Sequence, residues 1–570
     1  MYGTLSEVDR RAFLERMASL STTAMISPTL LGSQISNTRP AGTQTNGRYT
    51  GKDIKLPQIQ VRQVTDLTNL TIVEAATLIR RGEISPIELT QAYLQQIDRW
   101  EGVYQAFNTI LYESALESAR NVNPQRDRPL AGIPLAIKDN FFTAGIRTTA
   151  NSFIFEDFTP HFDATAWARL QDAGGILLGK TQMGPLATTA ATTPTGTRTT
   201  VNAWAPFAEN VSPGGSSSGS ATAVASRMAP CGTGTQTGGS ITNPSNAQGL
   251  TGIKPTMGRV SLHGVLPLTY TRDHVGPLAR DARDAALMLQ IMAGPDPADL
   301  RTLGLPSVPD YLAAVDISRQ KRPLRKPFRI GVLPDYLDEP EHETGYFAAR
   351  EEQEEQRDLA RERTQRTHER NVATTAARGE MLRTLEELGA EIVEVQAPRD
   401  WATLTSSSFN NVRLPERSEI FLEYLRDDVR QFGVSLSPWI NGLLLPATEY
   451  VRGQRARFIL LKSILEEIFT QCDAVVQTAP YPFDMVGLPL VAFPIGFETK
   501  SVGTPRPIGA MLGGTPYGED SLLTLAAAYQ RATDWHLRRP ANPDHLRPDA
   551  PPGPRSPGRI DLLDVMELGQ

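Results

Sequence analysis

Apolar positions along the chain alternate between helical and strand spacing from Leu70 onward. Residues 71–80 carry apolar side chains three and four positions apart behind a Thr71 cap, with Glu74 three residues later, which predicts a helix. Ser85-Pro86 predicts the start of a second helix that runs through Ile97. Short β-rich runs predict strands at Ile133–Ile137, Gly175–Leu178, Arg329–Val332, Glu391–Val395, Ala474–Gln477 and Leu490–Phe493. Helical patterns lie between them at Thr165–Ala173, Ala282–Met292 and Glu380–Leu388.

Strands interleaved with helices predict an α/β fold, with a large mixed, mostly parallel central sheet covered by helices on both faces. The 570 residues would suit several domains of about 150 residues. Large α/β enzymes, however, often extend one sheet well beyond that size. We therefore expect one domain over residues 66–540. No repeat with a period of 20–50 residues is visible, which argues against solenoids and propellers.

Both ends of the chain differ from this domain. In residues 1–32, Arg10-Arg11 stands shortly before Phe13-Leu14 and a mildly apolar run, a pattern similar to a twin-arginine export signal. It predicts a periplasmic or secreted protein. The alternative is a retained amphipathic helix on a cytoplasmic protein, favoured by the acidic residues around the arginine pair. Residues 33–65 read as a polar linker, and 541–570 as a proline-rich tail.

Residues 341–377 are predicted to be a charged helical insertion. Its centre, 349–371, mixes acidic residues with arginines and contains a single leucine, so it has no apolar stripe with which to bury a face. Opposite charges four residues apart, worth about 0.2–0.5 kcal/mol per pair, favour a helix. A solvated helix is the simpler interpretation, and a partner-binding arm is the alternative.

Composition excludes several classes of function. Lys+Arg 57 against Asp+Glu 63 gives a net charge of −6, which lacks the basic excess of a nucleic-acid-binding protein. No apolar run approaches the ~20 residues that span a bilayer. The two cysteines, Cys231 and Cys472, are far apart and belong to no metal-ligand pattern, so we expect no metal site.

Three pattern matches are set aside. Residues 174–181 (GGILLGKT) fit the phosphate-loop pattern, but a helix precedes them and their Ile-Leu-Leu centre suits a buried strand. Ser318-x-x-Lys321 lacks the companion motifs of β-lactamases. The Gly215-x-Ser217-x-Gly219 run lacks the preceding strand of a hydrolase nucleophile elbow, and no histidine has a recognisable catalytic context.

Two Ser/Gly-rich segments, 213–220 (PGGSSSGS) and 234–240 (GTQTGGS), are joined by small residues. Either alone is most simply a surface loop, but the pair suggests catalysis. A serine hydroxyl needs a base, and a desolvated neutral lysine can serve as one. Lys138 ends the apolar run 132–137, which predicts a buried strand. Taken alone, it would be a strand-end lysine that reaches solvent.

At these residues the chain resembles the amidase signature family of serine hydrolases. The resemblance covers about residues 70–540, on the motifs at 132–140, 179–183, 213–220, 234–240, 249–260, 487–496 and 518–523. It implies that Ser240 is the nucleophile, that Ser216 is a bridging serine after a cis bond from Gly215, and that Lys138 is the base. Backbone N–H groups of Thr237, Gly238, Gly239 and Ser240 would bind the oxyanion, with Ser217 in support. The implied activity is cofactor-independent hydrolysis of a small-molecule amide by a monomer or homodimer.

Departures from the family pattern bear on the substrate. Many relatives have Asp where this chain has Gln236 and Arg where it has Thr242, and Asn243 occupies the next position, where carboxylate-binding members of the family can place Arg. With no cation beside the nucleophile, we expect a neutral, apolar acyl or aryl amide. The alternatives are a glutaminase-type subunit of a tRNA-dependent amidotransferase, a hydrolase of carbamates, anilides or esters, and a non-catalytic binding protein on the same fold.

Overall fold

A computed structural model describes residues 54–61, 64–123, 128–191, 199–208, 211–316, 324, 327–337, 354–498 and 505–543. One sheet of eleven strands crosses this part of the chain, in the order β1-β3-β2-β4-β6-β5-β10-β11-β9-β7-β8. The strands are β1 Phe107–Ile110, β2 Pro134–Lys138, β3 Ile176–Thr181, β4 Cys231–Gln236, β5 Thr251–Lys254, β6 His274–Ala279, β7 Arg329–Val332, β8 Glu391–Glu394, β9 Ala474–Gln477, β10 Leu490–Phe497 and β11 Pro507–Gly514.

Helices connect and cover the strands. In the first half they are α1 Ile72–Arg81, α2 Pro86–Tyr104, α3 Tyr112–Asn121, α4 Thr165–Asp172, α5 Ser218–Ala225, α6 Thr242–Gln248, α7 Ala282–Met292 and α8 Tyr311–Val315. In the second half they are α9 Glu354–Glu387, α10 Trp401–Leu404, α11 Ser407–Asn411, α12 Leu414–Ile420, α13 Leu422–Asp427, α14 Ser437–Leu444, α15 Ala447–Ser463, α16 Tyr481–Val486 and α17 Glu519–Ala532.

The first two helices begin where the sequence predicts. Thr71 and Ser85 both form capping boxes, in which the hydroxyl accepts an N–H of the first turn and a glutamate accepts the N–H of the cap residue. The second helix continues to Tyr104, beyond the predicted end at Ile97. The buried carboxylate of Asp284 accepts the N–H groups of Ile72 and Val73 and so ties α1 to α7.

Helices lie on both faces of the sheet, as is clearest at β9. Ala474 and Val476 belong to a core cluster that includes side chains of α9 and α17. Val475, between them, belongs to a different cluster that includes side chains of α15 and α16. Because successive strand residues point to opposite faces, each face of the strand is covered by its own layer of helices.

The expectation of a large mixed α/β sheet is confirmed, with less parallel pairing than the alternation of strands and helices suggests. Four of the ten strand pairings are parallel, in the two groups β3-β2-β4 and β9-β7-β8. The other six are antiparallel. Several antiparallel members, including β4 and β6, are rich in glycine and small residues, so they lack the β-branched signal that predicts a strand.

Some predicted segments fall wholly or partly outside the described residues. These are the N-terminal 1–32, most of the linker 33–65, the first part of the insertion 341–377, and the tail beyond 543. From Glu354 onward the insertion is helical and forms the start of α9. Its later residues Ala373 and Ala377 pack against the core cluster of α17. Within the described ranges no helix has the length and apolar character needed to cross a membrane.

Residues 174–181, which fit the phosphate-loop pattern, form the strand β3 and the turn before it. Gly174 has a φ of +97°, and a Cβ there would lie 2.6 Å from Ala131 Cα. The turn is therefore packed against backbone, and residues 176–181 are paired with β1 and β2. This arrangement agrees with rejecting the phosphate-loop interpretation.

Gly174→Ala should therefore destabilise the fold strongly. A left-handed alanine costs about 1–2 kcal/mol and the steric overlap about 1–3 kcal/mol more. Gly82→Ala is the matched control, because Gly82 has a φ of +70° but nothing lies within 4 Å of the place that its methyl group would take. Urea unfolding should show a loss at Gly174→Ala at least twice that at Gly82→Ala. Equal losses would contradict the close packing of this turn.

Candidate active site

Lys138 lies at the carboxyl end of β2, and its side chain is completely buried. The strand is held between β3 and β4, and the Lys138 N–H donates to Thr233 Oγ1 at 3.0 Å. Nζ lies 2.9 Å from Ser216 Oγ, 3.0 Å from Ser217 Oγ and 2.7 Å from Thr235 Oγ1. The predicted buried strand is confirmed, and Lys138 does not reach solvent.

The hydrogen-bond pattern around Nζ fits a neutral amine. Ser217 Oγ can donate to the Thr235 carbonyl, and Thr235 Oγ1 also accepts from Asn140 Nδ2, so both hydroxyls are placed to accept an N–H of Lys138. A neutral amine has two N–H donors and one lone pair. The lone pair is then left for the Ser216 hydroxyl to donate to, which is the arrangement a general base requires.

Burial lowers the pKa of Lys138 well below its ordinary value, and the charge of Asp273 opposes this only in part. Desolvation disfavours the ammonium form because the surrounding hydroxyl groups replace hydration poorly. The geometry and the electrostatics of the site therefore both favour the uncharged lysine.

Ser216 and Ser217 stand at the start of α5, which packs beside β4 with its N-terminus near the end of the strand. The Gly215–Ser216 peptide bond is cis, as the family resemblance implies. The Ser216 carbonyl accepts the Gly184 N–H at 3.0 Å. A Cβ at Gly215 would meet the Thr189 carbonyl oxygen at 2.5 Å, so only glycine fits before Ser216.

Ser240 lies in the turn between β4 and α6, and its side chain is almost buried. A Cβ at Gly214 would lie 2.4 Å from Pro244 Cα, so the segment leading to Ser216 packs against the helix that follows Ser240. Within the described residues, the Ser240 hydroxyl forms no hydrogen bond with Ser216 or any other group. The structure thus joins Lys138, Ser216 and Ser217, and Ser240 as nucleophile stays a prediction.

The backbone donors of the predicted oxyanion loop take no part in secondary structure. In the part of the chain that the structure describes, the N–H groups of Thr237, Gly238, Gly239 and Ser240 donate to no backbone carbonyl. Burial raises the pKa of the Asp484 carboxylate, and the Gly239 N–H, which donates to this carboxylate, opposes the shift in part. Gly239 has a φ of +93°, which turns the chain into α6.

Gln236, at the end of β4, holds this loop from behind. Its Oε1 accepts the N–H groups of Ile241 and Thr242 at 2.8 and 2.9 Å, and its Nε2 donates to Asp484 Oδ1 at 2.8 Å. Asp484 in turn lies 3.7 Å from the buried Lys254 Nζ. Gln236, one of the departures from the family pattern, thus anchors the start of α6 and is placed to fix the turn that carries Ser240.

Two further contacts fix the loop from its other side. Thr237 Oγ1 donates to the buried Asp273, which also accepts the N–H groups of Leu268 and Thr269. Burial raises the pKa of Asp273 to about 6. The Tyr481 ring covers Gly238, where a Cβ would lie 3.3 Å from Cε1.

Sequence reasoning missed Thr235, Asp273, Tyr481 and Asp484. A signal existed for Thr235, because Thr233 and Thr235 alternate along a run of small residues and so share one face of a strand. The other three come from segments 36 to 248 residues from their partners, and no local pattern links them.

No group of three or more potential metal-ligating side chains occurs within the described ranges. Cys231 and Cys472 are both buried and free, so no disulfide joins them.

The fold and the contacts of Lys138 with Ser216 and Ser217 define an α/β protein with a desolvated lysine beside paired serines. The sequence model of the family described as Amidase matches residues 88–351. A glutamyl-tRNA(Gln) amidotransferase subunit from Roseiflexus castenholzii is 33% identical over 84% of this chain and 98% of its own length. One from Roseiflexus sp. is 34% identical over 84% of this chain and all of its own length. The solved peptide amidase of Stenotrophomonas maltophilia is 27% identical with a TM-score of 0.64, over 84% of this chain and 98% of that one.

The chain therefore belongs to the amidase (amidase signature) family, whose members act on C–N bonds.

Replacing Lys138 should change how stability depends on pH. The folded chain gives up a proton that the unfolded chain keeps up to a pKa near 10.5, so the free energy of unfolding rises with pH below that value. Lys138→Met should remove up to about 1.4 kcal/mol per pH unit of this slope, measured by urea unfolding from pH 8 to 10. Lys462→Met, at an exposed lysine, is the matched control. Parallel curves for Lys138→Met and the parent protein would show that the Lys138 pKa is not lowered.

Gln236→Leu should slow the reaction of Ser240 with a fluorophosphonate more than it lowers the stability of the fold. It removes two acceptor contacts and one donor contact beside the loop, each worth about 1–3 kcal/mol when a buried partner is left unpaired. We expect at least tenfold slower labelling of Ser240 by a fluorophosphonate. Gln248→Leu is the matched control, because Gln248 is a buried, doubly bonded amide at the other end of α6. Equal slowing in the two variants would refute a positioning role for Gln236.

Proposed function

We propose that the protein hydrolyses a carboxylic amide through an acyl-enzyme on Ser240. The single observation that carries this proposal is the completely buried Lys138, with Nζ 2.9 Å from Ser216 Oγ. Lys138 takes the Ser216 proton while Ser216 takes the Ser240 proton, and Ser240 Oγ bonds to the carbonyl carbon. Backbone N–H groups of the loop 237–240 stabilise the resulting oxyanion.

The second half of the reaction returns these protons. The C–N bond breaks as the proton held by Lys138 passes to the leaving nitrogen through Ser216, and the amine leaves. Water then bonds to the acyl carbon and gives a proton to the same relay. The bond between Ser240 Oγ and that carbon breaks, Ser240 takes the proton back from the relay, and the carboxylic acid leaves. Ser217 supports the relay by keeping one N–H of Lys138 occupied, so it positions the base without reacting.

A glutaminase-type role is the second candidate, and it is supported by the curated relatives that are named as amidotransferase subunits. These relatives favour it over the neutral, apolar amide proposed from Gln236, Thr242 and Asn243. Glutamine carries charged ends, so this role needs cationic side chains near the site and a partner subunit that receives ammonia. Carbamates, anilides and esters present a similar carbonyl and remain further candidates for the same chemistry.

Cell fractionation of the full chain in a bacterial host tests the proposed export through the signal-like residues 1–32. Co-purification distinguishes a stable complex with a different chain from a monomer or homodimer.

Ser240→Ala and Lys138→Met should each lower amide turnover at least a thousandfold with little loss of folded protein, because one removes the nucleophile and the other the base. Ser217→Ala should keep more activity than either. A panel of primary, aryl and peptide amides, followed by ammonia or amine release, gives the measurement. Turnover of the same amides by Ser240→Ala would contradict the mechanism.

The rate should rise with pH as Lys138 loses its proton. Since burial lowers the pKa of Lys138 well below its ordinary value, the rate should reach its plateau well below pH 10.5. The pH profile of kcat/KM gives the measurement. A rate that continues to rise through pH 10.5 would contradict a buried, neutral base.

A further inference from the structure

Four arginines from three segments of the chain meet beside the oxyanion loop. This arginine cluster consists of Arg272, Arg413, Arg417 and Arg457. Arg272 and Arg417 are almost completely buried, and Arg413 and Arg457 are half-buried. Across the described residues, none of the four forms a direct ion pair with a carboxylate. Such a group of buried cations is costly unless an anion compensates it.

Each nearby carboxylate is already engaged by other donors. Glu416 accepts from Thr271, Tyr450 and Gln454. Asp273 accepts from the loop residue Thr237 and from two backbone N–H groups. Asp484 is held by Gln236 and Lys254. Even if all three carboxylates are ionised, the four guanidinium groups exceed them in charge, and the positive charge of Lys254 already balances Asp484.

Two members of the cluster have unused hydrogen-bond donors. Arg272 Nη1 donates to Asn410 Oδ1 at 2.7 Å, but its buried Nε and Nη2 have no partner. The buried Nε of Arg417 also has no partner, and its guanidinium donates to no described residue while it lies 5.5 Å from the Trp439 ring centroid. By contrast, Arg457 is fully used by Met485, Thr271 and Gln454.

Three links place the cluster next to the predicted reaction centre. Arg272 directly precedes Asp273, which binds Thr237 of the oxyanion loop. Burial lowers the pKa of Arg417 to about 9, and Asp273 is close enough for its charge to oppose this shift in part. Burial likewise lowers the pKa of Arg413, and Asp484, which Gln236 holds beside the loop, is close enough to oppose this shift in part.

We propose that the unpaired guanidinium groups of Arg272 and Arg417, with Arg413 beside them, bind a carboxylate carried by the amide substrate. Guanidinium and carboxylate groups match in geometry, and such bonds are stronger than those between neutral groups. The inference rests on the proposed amidase function and names its substrate class. It replaces the neutral amide expected from residues 236–243, because the cations come from other segments.

Protection of Ser240 from a fluorophosphonate tests this subsite with the full chain. The probes are glutaramate, which has an amide at one end and a carboxylate at the other, and pentanamide, its uncharged match. Glutaramate should slow labelling at concentrations at least tenfold lower than pentanamide, the factor expected for one charge-assisted interaction. Equal protection by the two probes would overturn the proposal.

Substitutions of single arginines test whether the arginine cluster causes the preference for glutaramate over pentanamide. Arg417→Met should remove the preference for glutaramate while protection by pentanamide changes less than threefold, and Arg417→Lys should restore part of the preference. Arg452→Met, at an exposed arginine of α15, is the matched control and should keep it. If Arg417→Met does not fold, Arg413→Met replaces it, because Arg413 is half-buried.

The outcomes separate this inference from the function on which it rests. An unchanged preference in the folded Arg417→Met or Arg413→Met protein would overturn the subsite and leave the amidase proposal intact. Failure of the parent protein to label at Ser240, under conditions where a known serine hydrolase labels, would overturn both.

Discussion

The burial of one amine dominates the arrangement of this protein. Lys138 leaves water completely and meets three hydroxyl oxygens instead of a carboxylate. An ammonium ion in such a place would lack the compensating negative charge that buried cations need, so the environment favours the neutral form. The end of β2, the start of α5 and the alternating threonines of β4 are all arranged around that nitrogen. The surroundings at the carboxyl end of β2 thereby favour an uncharged lysine, the form that the proposed mechanism requires of a base.

The neighbouring loop shows how departures from a family pattern can be absorbed by the fold. Gln236 accepts two N–H groups at the start of α6 and donates to Asp484, and Asp484 is balanced by Lys254. The amide thus provides both an acceptor and a donor at one position, which a carboxylate cannot do. In our proposal, a substrate carboxylate is instead bound by the arginine cluster, which comes from residue 272 and the segment 413–457.

Local patterns were enough to predict much of the architecture, including the capped helices at Thr71 and Ser85 and the strand that ends at Lys138. They could not predict β4 and β6, because these strands are built from glycine and small residues whose pairing depends on close contact with neighbours. The contacts of Lys138 with Ser216 and Ser217 followed from motif resemblance. The arginine cluster did not, since Arg272 lies more than a hundred positions from Arg413 and Arg417, and no local pattern links it to them.

The protonation state of Lys138 is the most direct test of this account. Selective ¹³C labelling at lysine Cε, with Lys138→Met to assign the signal, would follow the titration of this one amine by NMR. Lys138 should be neutral at a pH where exposed lysines such as Lys462 are still fully charged. A Lys138 signal that titrates together with those of the exposed lysines would contradict it.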